Sequence, residues 1–376
     1  MINNCFLNKI LSVRNNPTGR TLTIAGVKFN FKKENLILQN QIKIYKDKCE
    51  NYELIISLYE KYLMNEHINI IKNSKKFSKN GVLICSYNNN QDDEKFYASP
   101  SVAGNIGDYI QSEAQKQYFR KTDYLADRDT LSLYNGENIN LIMNAWWYFW
   151  YKNKTFSDKI NPLFISFHIN NVEEIPEETL KYLKNHEPIG CRDYFTRNFL
   201  LKNNIKAYFS GCLSLTLGDK YKTNTGKKGN IIYFVDYNQG KNKKIDSAIN
   251  KILVNYKNCR IENIKHGIET GKPVQEYLHK AENLLHKYAN AKLIITSRIH
   301  CALPALGMET PVILVSEKFD RKRFDGLYQF LNTVGKDSFN NFVFNVNIDE
   351  QGFVYNSNTY KKYAEFLKNI CIEFTK

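Results

Sequence analysis

The run Ala291-Lys-Leu-Ile-Ile-Thr-Ser-Arg-Ile-His300-Cys-Ala-Leu-Pro-Ala-Leu-Gly-Met-Glu-Thr-Pro-Val-Ile-Leu-Val315 decides the fold. Leu293 to Ile295 reads as a buried strand, and Ser297-Arg298-Ile299-His300 as the turn that leaves it. Small apolar residues follow as a helix. Gly307 and Pro311 break it, and Val312 to Val315 is a second buried strand. Strand–helix–strand units of this kind build parallel sheets. Ligands of such sheets bind at the carboxyl ends of the strands, where a helix N-terminus also favours an anion. An arginine that never loses its charge and a titratable histidine two residues on suit a site that holds an anion and moves a proton. The plainer alternative is a surface ion pair at Arg298 and a polar helix start at His300. Apolar flanks on both sides weigh against it.

Working outward, the same alternation recurs in both directions. Upstream lie strand Asn230–Asp236, helix Lys244–Tyr256, helix Val274–Ala289 and strand Lys292–Ile295. Downstream, Phe319 to Leu327 leads into another helix, and Tyr360 to Phe374 is an amphipathic terminal helix. Before residue 218 a first α/β series is predicted. Its strands are Gly81–Tyr87, Asn138–Asn144, Pro162–Phe167 and Ile205–Phe209. Its helices run from Gly104-Asn105-Ile-Gly107-Asp108 to about Phe119, over Glu177–Asn185, and from Tyr194 to about Asn203. Asn144 and His168 fall at strand ends. The Lys-, Thr-, Asn- and Gly-rich stretch Gly218–Gly229 is the best linker candidate. Ahead of all this, Thr21 to Phe31 alternates as a hairpin and Leu38 to Asn73 reads as helical. The expected organisation is an extension over 1–75, a first Rossmann-like domain over 76–222 and a second over 223–376. The fold class is α/β, two Rossmann-like domains facing across a cleft.

Composition narrows the function classes. The chain has 376 residues, ample for two cores. Its 43% hydrophobic and 14% aromatic content is that of a globular chain. The formal charge is +15, with lysines scattered rather than gathered in a run. No zinc finger, readable recognition helix or aromatic RNA-binding signature is present, so nucleic acid is the weaker explanation. Anionic substrates and peripheral contact with an anionic membrane surface are the stronger ones. The cysteines, Cys5, Cys49, Cys85, Cys191, Cys212, Cys259, Cys301 and Cys371, form no C-x-x-C pair, which reads as reduced thiols in a cytoplasmic protein without structural zinc. The N-terminus lacks a signal-peptide pattern, and nothing approaches the roughly 18 apolar residues of a membrane span. Histidine and carboxylate spacing suggests no metal site.

Four motifs, in order, carry a resemblance: Asn105-Ile-Gly-Asp108, Gly190-Cys-Arg192-Asp193-Tyr-Phe-Thr196, Phe209-Ser-Gly-Cys212 and Ser297-Arg298-Ile-His300 with its Ala-Leu-Gly tail. Over about residues 80–335 the chain resembles the polysaccharide pyruvyl transferase family. The resemblance implies a GT-B-like fold. It implies transfer of the enolpyruvyl unit of phosphoenolpyruvate, as co-substrate and with no other cofactor, to a sugar that closes as a cyclic ketal. The acceptor would be a capsular, exopolysaccharide or cell-wall glycan precursor on a nucleotide or polyprenyl diphosphate carrier. Arg192 and Arg298 match positions suited to the two anionic groups of the donor, because a guanidinium binds either bidentately. His300 suits the proton donor or base, with Ser297 beside it. Asn105, Gly107 and Asp108 would line the opposite wall. By its strand-end position His168 is a further candidate, the alternative being a polar loop residue, and Arg323, with Arg321, faces either the cleft or solvent. Asp193 reads as a helix cap, and the cysteines beside the motifs as small buried thiols. Two rivals remain: a GT-B glycosyltransferase with a nucleotide-sugar donor, and a non-catalytic assembly protein that uses the cleft to bind glycan.

Overall fold

The computed structural model describes residues 11–16, 19–24, 27–31, 36–85, 104–147, 155–170, 172–173, 175–222, 228–319 and 324–376, with side chains from residue 52 onward. The chain divides into two compact units, Met1–Tyr62 and Leu63–Lys376. In the first, strands Leu11–Asn16, Gly19–Ile24 and Val27–Phe31 form an antiparallel sheet. The last two are the expected hairpin, paired from Arg20↔Phe31 to Ile24↔Val27. Helix Leu36–Asn73 follows, and its turns from Leu63 on belong to the second unit.

The second unit is an α/β assembly with parallel sheets. Its four-stranded sheet has the order Tyr124–Asp127, Lys79–Ile84, Ile139–Ile142, Ile160–Leu163, all parallel. Two short parallel pairs form separate two-stranded sheets: His168–Ile169 with Trp146–Trp147, and Ile189–Cys191 with Ala207–Phe209. The six-stranded sheet has the order Arg260–Ile264, Ile231–Val235, Leu293–Thr296, Val312–Ser316, Asn332–Lys336, Phe342–Asn345. Only its last strand pairs antiparallel.

Burial on both faces follows from the period of two along each strand. Ile232 and Phe234 point into one apolar cluster, with Leu293, Ile295, Ile313 and Val315. Tyr233 and Val235 point to the other side, with Ile294, Val312 and Leu314. That second cluster is continuous. It also takes in Val82, Ile142 and Leu163 from the four-stranded sheet, so one apolar body underlies both sheets.

Helix Ile299–Gly307 lies inside this body, with Ile299 through Leu306 all buried. A helix apolar on every side is a core helix, and one this short is held by packing rather than by its own propensity. Its tail passes close to another backbone. A Cβ on Gly307 would overlap the Leu215 carbonyl oxygen, and one on Gly218 would overlap the Gly307 carbonyl oxygen. Glycine is therefore needed at both positions.

The structure corrects several expected elements. Arg260–Ile264 is an edge strand between two helices that were read as consecutive. It is half exposed and alternates polar residues, so it lacks the apolar run of a central strand. Past Leu327 there is a short 3-10 turn, Leu327–Phe330, and then strand Asn332–Lys336, in place of another helix. Tyr124–Asp127 is a strand the pattern did not announce. The start of the presumed linker, Gly218–Tyr221, is a helical turn with Tyr221 buried.

Gly307→Ala should lower the stability of the protein by roughly 1–3 kcal/mol, because backbone must move to admit the methyl. Gly267, with open space around its Cβ position, is the control. Denaturant unfolding of both alanine variants checks this, with Gly267→Ala expected to stay within about 0.5 kcal/mol of the parent.

Candidate functional site

The turn after Leu293–Thr296 is fixed by hydrogen bonds to the neighbouring strand. The Thr296 hydroxyl donates to the Val235 carbonyl at 3.1 Å and accepts from the Arg298 N–H at 2.9 Å. Ser297 donates its backbone N–H to Val235 O at 3.2 Å and its hydroxyl to the Asp236 carbonyl at 2.8 Å. Arg298 is the N-cap of the apolar helix, with no side-chain cap bond of its own. Its Nε donates to Asp236 Oδ2 at 2.6 Å, while 45% of its side chain stays exposed. His300, in the first turn, is 6% exposed. Pro304, four residues on, has no N–H to offer the His300 carbonyl.

The facing wall is the start of helix Ile106–Lys116. Asn105 caps it, its Oδ1 accepting from the Gly107 N–H at 3.0 Å. Gly104–Asn105 pairs antiparallel with Gly267–Ile268, and the Ile106 N–H donates to the His266 carbonyl at 2.9 Å. Gly107 lies directly against His300. A Cβ there would sit 3.1 Å from His300 Cβ and 3.2 Å from its Nδ1. Five expected residues, Asn105, Gly107, Ser297, Arg298 and His300, are thus brought together.

Asp236 and His266 join them, and neither was singled out from the sequence. Asp236 follows the apolar strand Ile231–Val235, so its place at the carboxyl edge was readable. His266 follows the edge strand that the pattern concealed. Its N–H donates to Asp236 Oδ2 at 3.1 Å and its Nε2 meets the Tyr288 hydroxyl at 2.7 Å. Burial, opposed by Asp236 and aided by Arg298, lowers the His266 pKa from 6.5 to about 4.

The other candidates belong to neighbouring groups of contacts. Asp108 turns toward Arg128, 3.9 Å from its Nη1, and accepts from Gln111 at 3.3 Å. Arg128 also donates to Asp129 at 2.9 Å and to Cys85 Sγ at 3.3 Å, and lies 4.9 Å over the Trp146 ring. Burial works against the Arg128 charge, yet Cys85, Asp129 and Asp108 hold its pKa well above the ordinary value. Arg128 was not anticipated, because a lone arginine after an unannounced strand carries no signal.

Arg192 and His168 are both fully buried and share Asp193. His168 Nδ1 is 2.6 Å and Arg192 Nε 3.7 Å from Asp193 Oδ2. Asp193 is the expected cap, its Oδ1 accepting from the Thr196 N–H at 2.8 Å. Arg323, like Arg321, lies outside the described residues. Just beyond them, the Asp325 carbonyl accepts from the Tyr194 N–H at 3.0 Å.

The thiols are buried at Cys85, Cys191, Cys212, Cys301 and Cys371. Burial pushes Cys301, beside the motif, up to about 12, which removes it as a nucleophile at neutral pH. Among the described residues, no group of three or more His, Cys, Asp or Glu side chains is placed to hold a metal ion. Among the same residues, no helix is long and apolar enough to cross a membrane.

Residues 105–318 match the family model described as polysaccharide pyruvyl transferase. No curated protein matches the sequence. Among solved structures, an uncharacterised protein from Klebsiella pneumoniae subsp. pneumoniae NTUH-K2044 aligns with a TM-score of 0.39 and 12% identity, over 70% of this chain and 87% of that one. The wall teichoic acid polymerase TagF aligns with a TM-score of 0.32 and 11% identity, over 88% of this chain and 91% of that one.

Two buried histidines set an acid limit. His266 falls to about 4, and His67, bonded to the Tyr208 hydroxyl at 2.8 Å, falls to about 3, chiefly through burial. The unfolded chain binds these protons from 6.5 downward and the folded chain does not. Their contribution is therefore intact above 6.5 and lost as pH falls toward 4 for His266 and toward 3 for His67. For His266 it amounts to about 3 kcal/mol. Unfolding free energies measured between pH 7 and pH 4 should fall, and less steeply in His266→Gln.

Proposed function

We propose that this chain, which belongs to the polysaccharide pyruvyl transferase family, transfers the enolpyruvyl unit of phosphoenolpyruvate to two hydroxyls of a sugar. The acceptor would be a capsular, exopolysaccharide or cell-wall glycan precursor. The observation that carries this reading is the meeting of Arg298 and His300, at one helix start, with the Asn105–Gly107 turn of another. In this reading the six-stranded sheet supplies the donor side and the four-stranded sheet the acceptor side of a GT-B-like pair facing across a cleft.

The chemistry asks for an anion grip and one mobile proton. Phosphoenolpyruvate carries a carboxylate and a phosphate. Arg298, half exposed and already oriented through Nε, has its terminal nitrogens left for one of them. Arg192 is the candidate for the other. A proton delivered to the methylene carbon makes a methyl group and an oxocarbenium-like centre at the neighbouring carbon. The first sugar hydroxyl attacks that centre, and its proton is taken up by the base. The carbon–oxygen bond to phosphate then breaks, and the second hydroxyl closes the ketal. Of the two hydroxyl protons, one replaces that spent on the methyl and the other leaves with inorganic phosphate. His300 is the residue suited to give and recover the proton. Helix N-termini on both sides favour the anionic donor.

Asp108, with Arg128, Asp129 and Trp146 around it, offers hydrogen-bonding groups and an aromatic ring for the acceptor sugar. The net charge of +15 supports a diphosphate-linked acceptor, on nucleotide or polyprenol, met in the cytoplasm or at an anionic membrane face.

A thermal-shift series with phosphoenolpyruvate, UDP, GDP and CMP tests the donor. Phosphoenolpyruvate at 100 times its dissociation constant should add about 2.7 kcal/mol of stability, and at the same concentration Arg298→Ala should lose most of that gain. Stabilisation by a nucleotide alone would favour the glycosyltransferase reading. In a phosphate-release assay with acceptor, His300→Ala should slow turnover about 10²–10⁴-fold.

A further inference from the structure

We infer that Asp236 is the positioning residue of the donor site, acting through Arg298 to hold its guanidinium in one orientation. The inference rests on the donor reading above and deepens it. Asp236 ends strand Ile231–Val235 and leaves it with φ 49, in the left-handed region that aspartate tolerates better than most residues. That turn brings the N–H, the carbonyl and one carboxylate oxygen of the residue into use. Its N–H donates to the Ile264 carbonyl at 2.9 Å. Its carbonyl accepts from the Ser297 hydroxyl at 2.8 Å. Its Oδ2 accepts from Arg298 Nε at 2.6 Å and from the His266 N–H at 3.1 Å.

One carboxylate oxygen therefore ties three pieces of chain. Arg298 belongs to the adjacent parallel strand and its helix. His266 belongs to the segment whose carbonyl receives the Ile106 N–H beside the Asn105 cap. The geometry selects which edge of the guanidinium is engaged. Only Nε is bonded to Asp236, so the two terminal nitrogens remain for an anion. An exposed arginine without such an anchor would have to lose several side-chain rotations on binding. The anchor settles that orientation before a ligand binds.

The opposing expectation has the opposite sign. Asp236 carries a negative charge beside a site for an anionic donor. Were it merely a counter-ion, removing its charge would tighten donor binding by Coulomb's law alone. If it positions Arg298, removal loosens binding despite the gain in charge.

Titration calorimetry with phosphoenolpyruvate decides this on the parent protein, Asp236→Asn, Arg298→Ala and the double variant. Asp236→Asn should weaken binding about tenfold. In the Arg298→Ala background the same change should not weaken binding further, because the loss passes through the arginine and only the small Coulomb gain remains. Tighter or unchanged binding in Asp236→Asn overturns the inference. So does an equal loss in both backgrounds, which would mark a structural role. Asp236→Glu keeps the charge and displaces it by one methylene. It should also weaken binding, and it carries the test if circular dichroism shows Asp236→Asn unfolded. A parent protein that fails to bind phosphoenolpyruvate overturns the donor reading itself, a result distinct from parent binding that Asp236→Asn leaves intact.

Discussion

The seating of helix Ile299–Gly307 is the constraint on which the rest of the structure depends. It is buried along its length and pinned at both ends. At its end Gly307 lies against the Leu215 backbone, so close that a side chain has no room. At its start His300 lies against Gly107, which itself begins the Asn105-capped helix. Close packing allows little slip between such contacts. The first turn of this helix, with Arg298 and His300, is therefore placed by core packing rather than by the flexibility of a surface loop. A site built this way has its groups oriented before a ligand arrives.

Charge and burial divide the labour around that turn. Arg298 stays half exposed and keeps part of its hydrogen-bonding capacity open. His266 and Tyr288 beneath it are buried and mutually bonded, and burial keeps the histidine neutral. Asp236 stands between the two layers and is bonded to both. On the far side of the Asn105 cap, Asp108, Arg128 and Asp129 form a second charged group whose members compensate one another. Buried charges persist only when paired in this way. The first turn of helix Ile106–Lys116 thus touches both groups, Gly107 facing His300 and Asp108 facing Arg128.

Much of the fold was legible because apolar β-branched runs and glycine or proline breaks are strong signals. Leu293–Thr296 and Val312–Ser316, the capped helix after Asn105 and the Asp193 cap all declare themselves in sequence. Arg260–Ile264 did not, because an edge strand needs no apolar face. Asn332–Lys336 did not either, since three polar residues and a glycine leave Val334 as its one apolar side chain, although four of its five residues are buried once the sheet closes. Within the site, Ser297, Arg298 and His300 were readable because three polar residues interrupt an apolar run. Asp236 and His266 were harder to see, since their significance lies in the partners they meet.

The sequence by itself determined the parallel α/β character, the family and the turn that carries Arg298 and His300, because those rest on local periodicity and on residues adjacent in the chain. Only the tertiary structure decided that Gly107 abuts His300, that Asp236 anchors Arg298, and that Asp108 turns away toward Arg128. Each of these joins residues far apart in the chain, and the physical reason is that sheet order and core packing, which no local pattern encodes, choose which strand ends become neighbours.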